Sequence, residues 1–231
     1  MRRVLLKLSG EALSGDRHHG FDEATVQGVA RQVRAIADEG IELAVVIGGG
    51  NFWRGRSSGA IERTHADQIG MLATVMNCIY TSEIFRSEGM KTVVMTPFEI
   101  GAFAELFSRD KAIEALEAGK IVFFAGGTGH PYFSTDTGVV LRAIEMEADE
   151  ILLAKAVDGV YDDDPRHNPA AKRFDEISID EVVEKGLGVV DGAAAVMAKE
   201  NRVPMLVFKL DGKDSILRAA KGIVDGTRVT V

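Results

Sequence analysis

Leu43-Ala44-Val45-Val46-Ile47 is an uninterrupted apolar run, and it ends on Gly48-Gly49-Gly50-Asn51. A strand with no polar residue on either face has to be covered on both, which places it inside a parallel sheet flanked by helices. Three consecutive glycines at its end leave no side chain to hold a ligand away from the backbone amides. A second turn of this kind follows an earlier strand, where Val4-Leu5-Leu6-Lys7-Leu8 leads into Ser9-Gly10. Outward-facing amides at the C-terminal end of a parallel strand, beside a helix start, form an anion site. Lys7 at one turn and Arg54 shortly after the other add the charge that a phosphate group needs. One such turn reads equally well as a tight connection. Two turns with a cation at each favour phosphate.

The alternation continues along the chain. Apolar runs at 92–95, 121–125, 151–154 and 205–208 read as further buried parallel strands. Between the first two strands, Val26, Val29, Ala30, Val33, Ile36 and Ala37 recur at helical spacing, and Gly40 closes that helix. Residues 137–147 predict a helix with Val140, Leu141 and Ile144 inward and Arg142, Glu145 and Glu147 outward. Ser178 precedes Asp180-Glu181 as an N-cap, and a helix over 191–201 stops ahead of Val203-Pro204. The segment 70–85 is too apolar for an ordinary surface helix. Its Met71, Leu72, Val75, Met76, Ile79, Tyr80 and Ile84 cover more than one face, which predicts either deep burial or packing on another subunit. With no repeat and no linker rich in Pro, Gly and Ser, the expectation is a single α/β domain over 1–231. It would be a three-layer αβα sandwich with a mainly parallel central sheet and a cleft across the strand ends.

Composition excludes several classes of function. The 231 residues, 46% of them hydrophobic, can bury a sizeable core, yet no stretch is apolar enough to span a bilayer. Arg2-Arg3 runs straight into a strand interrupted by Lys7, unlike a cleavable signal peptide. A single cysteine, Cys78, forms neither an intrachain disulfide nor a cysteine metal cluster and points to a reducing cytoplasm. A net charge of −8 counts against a nucleic-acid partner. The P-loop pattern G-x-x-x-x-G-K-[ST], the dinucleotide pattern G-x-G-x-x-G after the first strand and H-E-x-x-H are all missing. The five histidines, His18, His19, His65, His130 and His167, show no metal spacing.

A third glycine-rich turn follows Phe123-Phe124-Ala125, running from Gly126-Gly127-Thr128-Gly129-His130 to Pro131-Tyr132-Phe133-Ser134-Thr135-Asp136. It offers amides, three hydroxyls and two rings that either flank a base or ribose or serve ordinary core packing. Thr135 or Asp136 would cap the next helix. Further on, Lys155 ends another strand and Asp158-Gly159 makes a turn before Tyr161 and three adjacent carboxylates, Asp162, Asp163 and Asp164. Three neighbouring carboxylates repel one another unless solvated, hydrogen-bonded or near a cation. Surface solvation and a nucleotide ribose or Mg²⁺ are the two readings.

Together these segments resemble the amino-acid-kinase fold family, and within it the bacterial uridylate kinase branch, over essentially the whole chain. The resemblance rests on 7–13, on 46–51 with Arg54-Gly55, and on Asp67 with the run 70–77. It continues through Gly127-Thr128-Gly129, Pro131, Phe133 and Thr135-Asp136, then 157–161 and Asp164-Pro165. It implies transfer of the γ-phosphoryl group of ATP to UMP, with Mg²⁺ accompanying ATP. It assigns Lys7, Leu8, Ser9, Gly10, Gly50, Arg54, Lys155, Tyr161 and Asp164 to ATP, and makes the C-terminal half of the chain mainly, not wholly, ATP-binding. Gly49, Asp67 and the loop Thr128, Gly129, His130, Pro131, Tyr132, Phe133, Ser134 and Thr135 would serve UMP, with the N-terminal half mainly, not wholly, UMP-binding. Lys7, Arg54 and Asp191 would be catalytic, Asp191 either as the acid that orients the lysine or as a plain helix cap. Asp67 is either the ribose acceptor or the cap of the apolar helix. The resemblance further implies a homohexamer activated by GTP, through a site near Arg86 and the 15–20 loop, and inhibited by UTP. Phe52-Trp53 and His130 depart from family forms, and Lys155 stands where other members carry threonine. The rival readings are a carbamate, glutamate or aspartate kinase and a catalytically silent nucleotide- or oxyanion-binding protein.

Overall fold

The computed structural model describes residues 1–53, 61–211, 214–223 and 225–231. From the N-terminus the described elements are β1 (Arg3–Leu8), α1 (Glu23–Asp38), β2 (Glu42–Ile47), α2 (Arg63–Ser87), β3 (Thr92–Thr96) and β4 (Glu105–Leu106). Next come α3 (Arg109–Glu117), β5 (Ile121–Phe124), α4 (Thr135–Glu145), β6 (Glu150–Lys155), β7 (Val160–Tyr161) and β8 (Arg173–Phe174). The chain closes with β9 (Glu176–Ser178), α5 (Ile179–Glu184), α6 (Gly192–Asn201), β10 (Met205–Lys209), α7 (Ser215–Ala220) and β11 (Gly226–Thr230). All six apolar runs are strands of one sheet, ordered β4-β3-β5-β2-β1-β6-β10-β11-β9, and β7 pairs with β8 in a small ribbon. Every pairing in the large sheet is parallel except β10 with β11.

Strand alternation sends the side chains of β1 to two separate cores. Leu5 packs with α3, α4, α5 and α6, through residues such as Leu116, Val140, Val182 and Ala195. Val4, Leu6 and Leu8 pack with α1, α2 and α7, through Val33, Cys78, Phe85 and Ile216. These are the three layers expected, with β1 in the middle of the sheet between β2 and β6. The pairing Leu8↔Ile47 brings the glycine turns after β1 and β2 side by side at the C-terminal edge. β2, β5 and β3 lie to one side of β1 and β6 and β10 to the other, so a crevice opens at that edge, where open α/β sheets bind ligands.

Three local expectations are corrected. Ser134, not Thr135 or Asp136, caps α4: its backbone is extended (φ −78°, ψ 167°) and its hydroxyl accepts the Thr137 amide. Arg142 is buried, its guanidinium carbon 3.9 Å from the centroid of the Phe107 ring, because the segment after β4 folds over this face of α4. The apolar helix begins at Arg63, seven residues before the predicted start at 70, and Glu62 rather than Asp67 is its cap. Val75 and Cys78 face the sheet, whereas Ile69, Leu72, Met76 and Ile79 form an exposed apolar stripe along α2. Among the described residues no helix is long and apolar enough to cross a membrane.

Candidate active site

Lys7 shares the strand parity of Leu5 and therefore points to the α4 side of the sheet. There its ammonium lies 3.1 Å from Asp136 Oδ1, in the first turn of α4, with both side chains largely buried. Of the two readings of Asp191, the acid beside this lysine and the helix cap, the structure shows the cap: Asp191 caps α6 by accepting the Ala194 amide at 3.0 Å and takes hydrogen bonds from Thr137 Oγ1, at 2.9 Å, and Ser134 Oγ. Burial works to raise the Asp191 pKa, but the bonds from Ser134, the Ala194 amide and Thr137 outweigh it and hold the carboxyl below its usual range. Asp191 thus ties the start of α6 to the start of α4, whose next residue but one after the Ser134 cap is Asp136.

The two glycine turns are pressed together. A Cβ on Gly10 would stand 2.6 Å from the Gly48 carbonyl and 2.8 Å from the Gly50 amide, and one on Gly49 would stand 2.8 Å from the Gly70 carbonyl on α2. Polar residues of α2 hold the turns in place. Asn77 donates to the Gly48 carbonyl at 2.7 Å and exchanges amide bonds with Asn51, while Thr74 Oγ1 accepts the Gly126 amide at 2.8 Å. Ser9 Oγ accepts the Ala12 amide at 3.2 Å, and the Leu8 side chain is fully buried, so any ligand meets Leu8 only through its backbone.

A cavity of about 330 Å³ opens between these turns and α2. Lys7, Ser9, Gly10, Gly49, Gly50, Asp67, Thr128, His130, Phe133, Ser134 and Thr135 line it, as do Trp53, noted from sequence only as a departure from family forms, and Arg63, which was not singled out. Gly129, Pro131 and Tyr132 belong to the same loop without lining the cavity. Tyr132 and Phe133 are 62% and 54% exposed, which removes the core-packing alternative for both rings. Asp67 Oδ2 accepts Arg63 Nε at 2.7 Å and the Tyr132 amide at 2.9 Å, so this carboxylate works inside the helix and does not cap it. Arg54 lies outside the described residues.

A second cavity, of about 400 Å³, is lined by Lys155, Tyr161, Asp164 and the strip Gly186–Val189. Lys155 ends β6 and donates its ammonium to the Val189 carbonyl. Burial lowers its pKa, Asp136 opposes that shift, and Lys7 adds to it. The three adjacent carboxylates are each satisfied locally. Asp162 accepts the Lys172 amide at 2.7 Å, Asp163 accepts Asn168 Nδ2 at 2.9 Å, and Arg166 forks onto Asp164, holding its pKa down to about 2. Asp136 and Arg63 are the site residues that sequence reasoning missed. The i, i+4 spacing of Arg63 and Asp67 was a legible signal, whereas nothing local marked Asp136 as the partner of Lys7.

The profile of the Amino acid kinase family matches residues 2–209. The chain belongs to that family. Its fold is similar to that of UMP kinase from Bacillus anthracis, with 38% identity and a TM-score of 0.95 over 99% of this chain and 96% of that one. UMP kinase from Ureaplasma parvum is 30% identical with a TM-score of 0.95, covering 100% of this chain and 99% of its own. Uridylate kinase from Archaeoglobus fulgidus is 25% identical with a TM-score of 0.76, both chains being covered in full. Within this amino acid kinase, Lys7 lines the first cavity and Lys155 the second, on adjacent strands β1 and β6, and the charge of Asp136 acts on both lysines.

Proposed function

We propose that this chain transfers the γ-phosphoryl group of ATP to UMP, giving UDP and ADP. The observation that carries the reading is the placement of Lys7, between the glycine turns and beside a cavity walled by Asp67 and the 128–135 loop. The full-length likeness to UMP kinases supports the choice of acceptor. UMP would lie in that cavity, between Gly49, Asp67 and the loop, with ATP reaching from Gly10 and Gly50 to Lys155, Tyr161 and Asp164. The N-terminal half would thus serve mainly UMP and the C-terminal half mainly ATP.

The acceptor is a phosphate monoester with a second pKa of about 6, so its attacking oxygen is already anionic at neutral pH. In-line transfer then needs no general base. It needs two polyanions held in line and positive charge on the equatorial oxygens of the transferred group. Lys7 and the amides of Gly10, Gly49 and Gly50 provide this, joined in the proposal by Arg54. Asp136 holds Lys7 in place, and Asp191 keeps the start of α4 in register through Ser134 and Thr137. Among the described residues no group of three or more His, Cys, Asp or Glu side chains is placed to cage a metal. The carboxylate beside Lys7 fits a Mg²⁺ that arrives on the donor's phosphates and keeps most of its water. Such an ion would supply charge neutralisation on those phosphates.

The exposed stripe of Ile69, Leu72, Met76 and Ile79 on α2 fits packing on a second subunit, and we extend the proposal to a homohexamer, activated by GTP and inhibited by UTP, acting in pyrimidine nucleotide synthesis in the cytoplasm. A pyrimidine triphosphate can place its base in the UMP site and its phosphates over the donor cations. Activation by GTP requires a separate site with differential affinity for the active state. Light scattering across protein concentrations tests the assembly, and initial rates with and without GTP test the coupling.

The decisive assay is coupled ADP release with UMP, CMP, AMP, GMP, carbamate, glutamate and aspartate as acceptors. UMP-dependent release well above the others is expected. Preference for a small acid, or no acceptor-dependent release, overturns the assignment.

A further inference from the structure

Two choices at the edge of the acceptor cavity are locally unfavourable. Arg63 is the first residue of α2, where the helix dipole disfavours a cation. Tyr132 has φ +72°, a left-handed backbone that a bulky side chain adopts only under constraint. Both meet at one carboxylate. Arg63 Nε donates to Asp67 Oδ2 at 2.7 Å, and the Tyr132 amide donates to the same oxygen at 2.9 Å. The guanidinium carbon of Arg63 also sits 5.3 Å from the Tyr132 ring centroid, which closes a triangle of three residues. The turn of α2 beneath it is pinned by the Trp53 indole, which donates to the Ala66 carbonyl at 2.8 Å. Strain of this kind collects where surrounding structure imposes a functional geometry.

We propose that Arg63 is a positioning residue for the acceptor's sugar. With the Tyr132 amide it holds the Asp67 carboxylate in one rotamer at the cavity wall. A carboxylate held in this way recognises a ribose through its hydroxyls, so selection of a ribonucleoside monophosphate over its 2′-deoxy counterpart depends on Arg63. The inference rests on the UMP reading given above and deepens it. The guanidinium is suited to the task because its planar fork binds carboxylate and ring at once, which a lysine cannot do.

The test compares UMP and dUMP as acceptors for the wild type, Arg63→Gln, Arg63→Lys and Tyr132→Asn at saturating MgATP. Asparagine tolerates the left-handed backbone while removing the ring. Trp53, the only tryptophan, reports acceptor binding without ATP by its fluorescence. Arg63→Gln is expected to raise the KM for UMP about tenfold, as for loss of one charge-assisted hydrogen bond, while kcat changes by less than about twofold and the KM for dUMP moves far less. The preference for UMP therefore collapses, Arg63→Lys recovers part of it, and Tyr132→Asn shifts it in the same direction. If the wild type discriminates between UMP and dUMP and the variants discriminate equally well, the positioning role falls and the kinase reading stands. If the wild type neither binds nor phosphorylates UMP, the kinase reading falls and takes this role with it.

Discussion

Gly10→Ala tests the claim that the two phosphate turns are built as one interlocked unit. The added methyl would sit 2.6 Å from the Gly48 carbonyl and 2.8 Å from the Gly50 amide, and against Asn51 Oδ1 as well, whereas ordinary contacts begin near 3.4 Å. None of these neighbours is the loose end of a flexible chain. Two are backbone atoms, and Asn77 ties both the Gly48 carbonyl and Asn51 Oδ1 at 2.7 Å. The turns must therefore separate by about 1 Å, and overpacking of this kind costs about 3 kcal/mol, the upper end of its usual range, because the walls are rigid. For a chain of this size the melting temperature should fall by about 6–12 °C. Displacing the donor and acceptor cradles by that distance should also lower kcat/KM for phosphoryl transfer by about 10²-fold. Gly28→Ala is the matched control: it lies inside α1 with nothing within 4 Å of the new methyl, and should gain about 0.5–1 kcal/mol. Calorimetry and steady-state rates on the two variants suffice. A Gly10→Ala protein that melts within 2 °C of wild type, a limit of roughly 1 kcal/mol, and keeps most of its activity would refute the interlocking of the turns.

Lys7→Ala should lower kcat by about 10²–10³ with native circular dichroism, since it removes charge felt mainly in the transition state; near-normal turnover in a folded variant would remove Lys7 from the mechanism. Lys155 carries a pKa pulled below its ordinary 10.5, chiefly by burial, so the folded protein releases this proton before the unfolded chain does. Its contribution to stability should rise with pH between the lowered value and 10.5, and be lost as pH falls through the lowered value. The melting temperature of wild type relative to Lys155→Met should accordingly climb across that window, and a flat difference would contradict the burial. Cys78, fully buried with its pKa pushed up to about 12, should resist neutral thiol reagents in the native protein and react once denaturant unfolds it; rapid labelling under native conditions would refute the buried placement.

The apolar runs determined the six central strands of the sheet by themselves, though not its edges β4, β11 and β9. A segment such as Leu43–Ile47 can be buried only on two faces, so strand type, parallel pairing and the sandwich followed from residues alone. The glycine turns were legible only as a pair, since one turn alone reads equally well as a tight connection and two with a cation at each favour a phosphate site. Helix ends were read within a few residues at α6 and missed by more at α2, where Glu62 is an uncommon cap and the first turn carries little apolar signal. Periodicity also put Arg142 outward, because the wheel of α4 does not reveal that Phe107 and its neighbours cross over it.

Pairings between distant segments were decided only by the tertiary structure. Parity along β1 sets Lys7 on the side of Leu5, but which helix covers that side, and which carboxylate it brings, depends on how α4 packs. Asp136 and Asp191 both stand at helix starts, and from sequence either could have faced the lysine. The packing of α6 on α4 turns Asp191 toward Ser134 and Thr137 and leaves Asp136 for Lys7. Local patterns record a residue's own backbone and burial preference, whereas a charge partner is chosen by the three-dimensional path of a chain that the sequence near either residue does not describe.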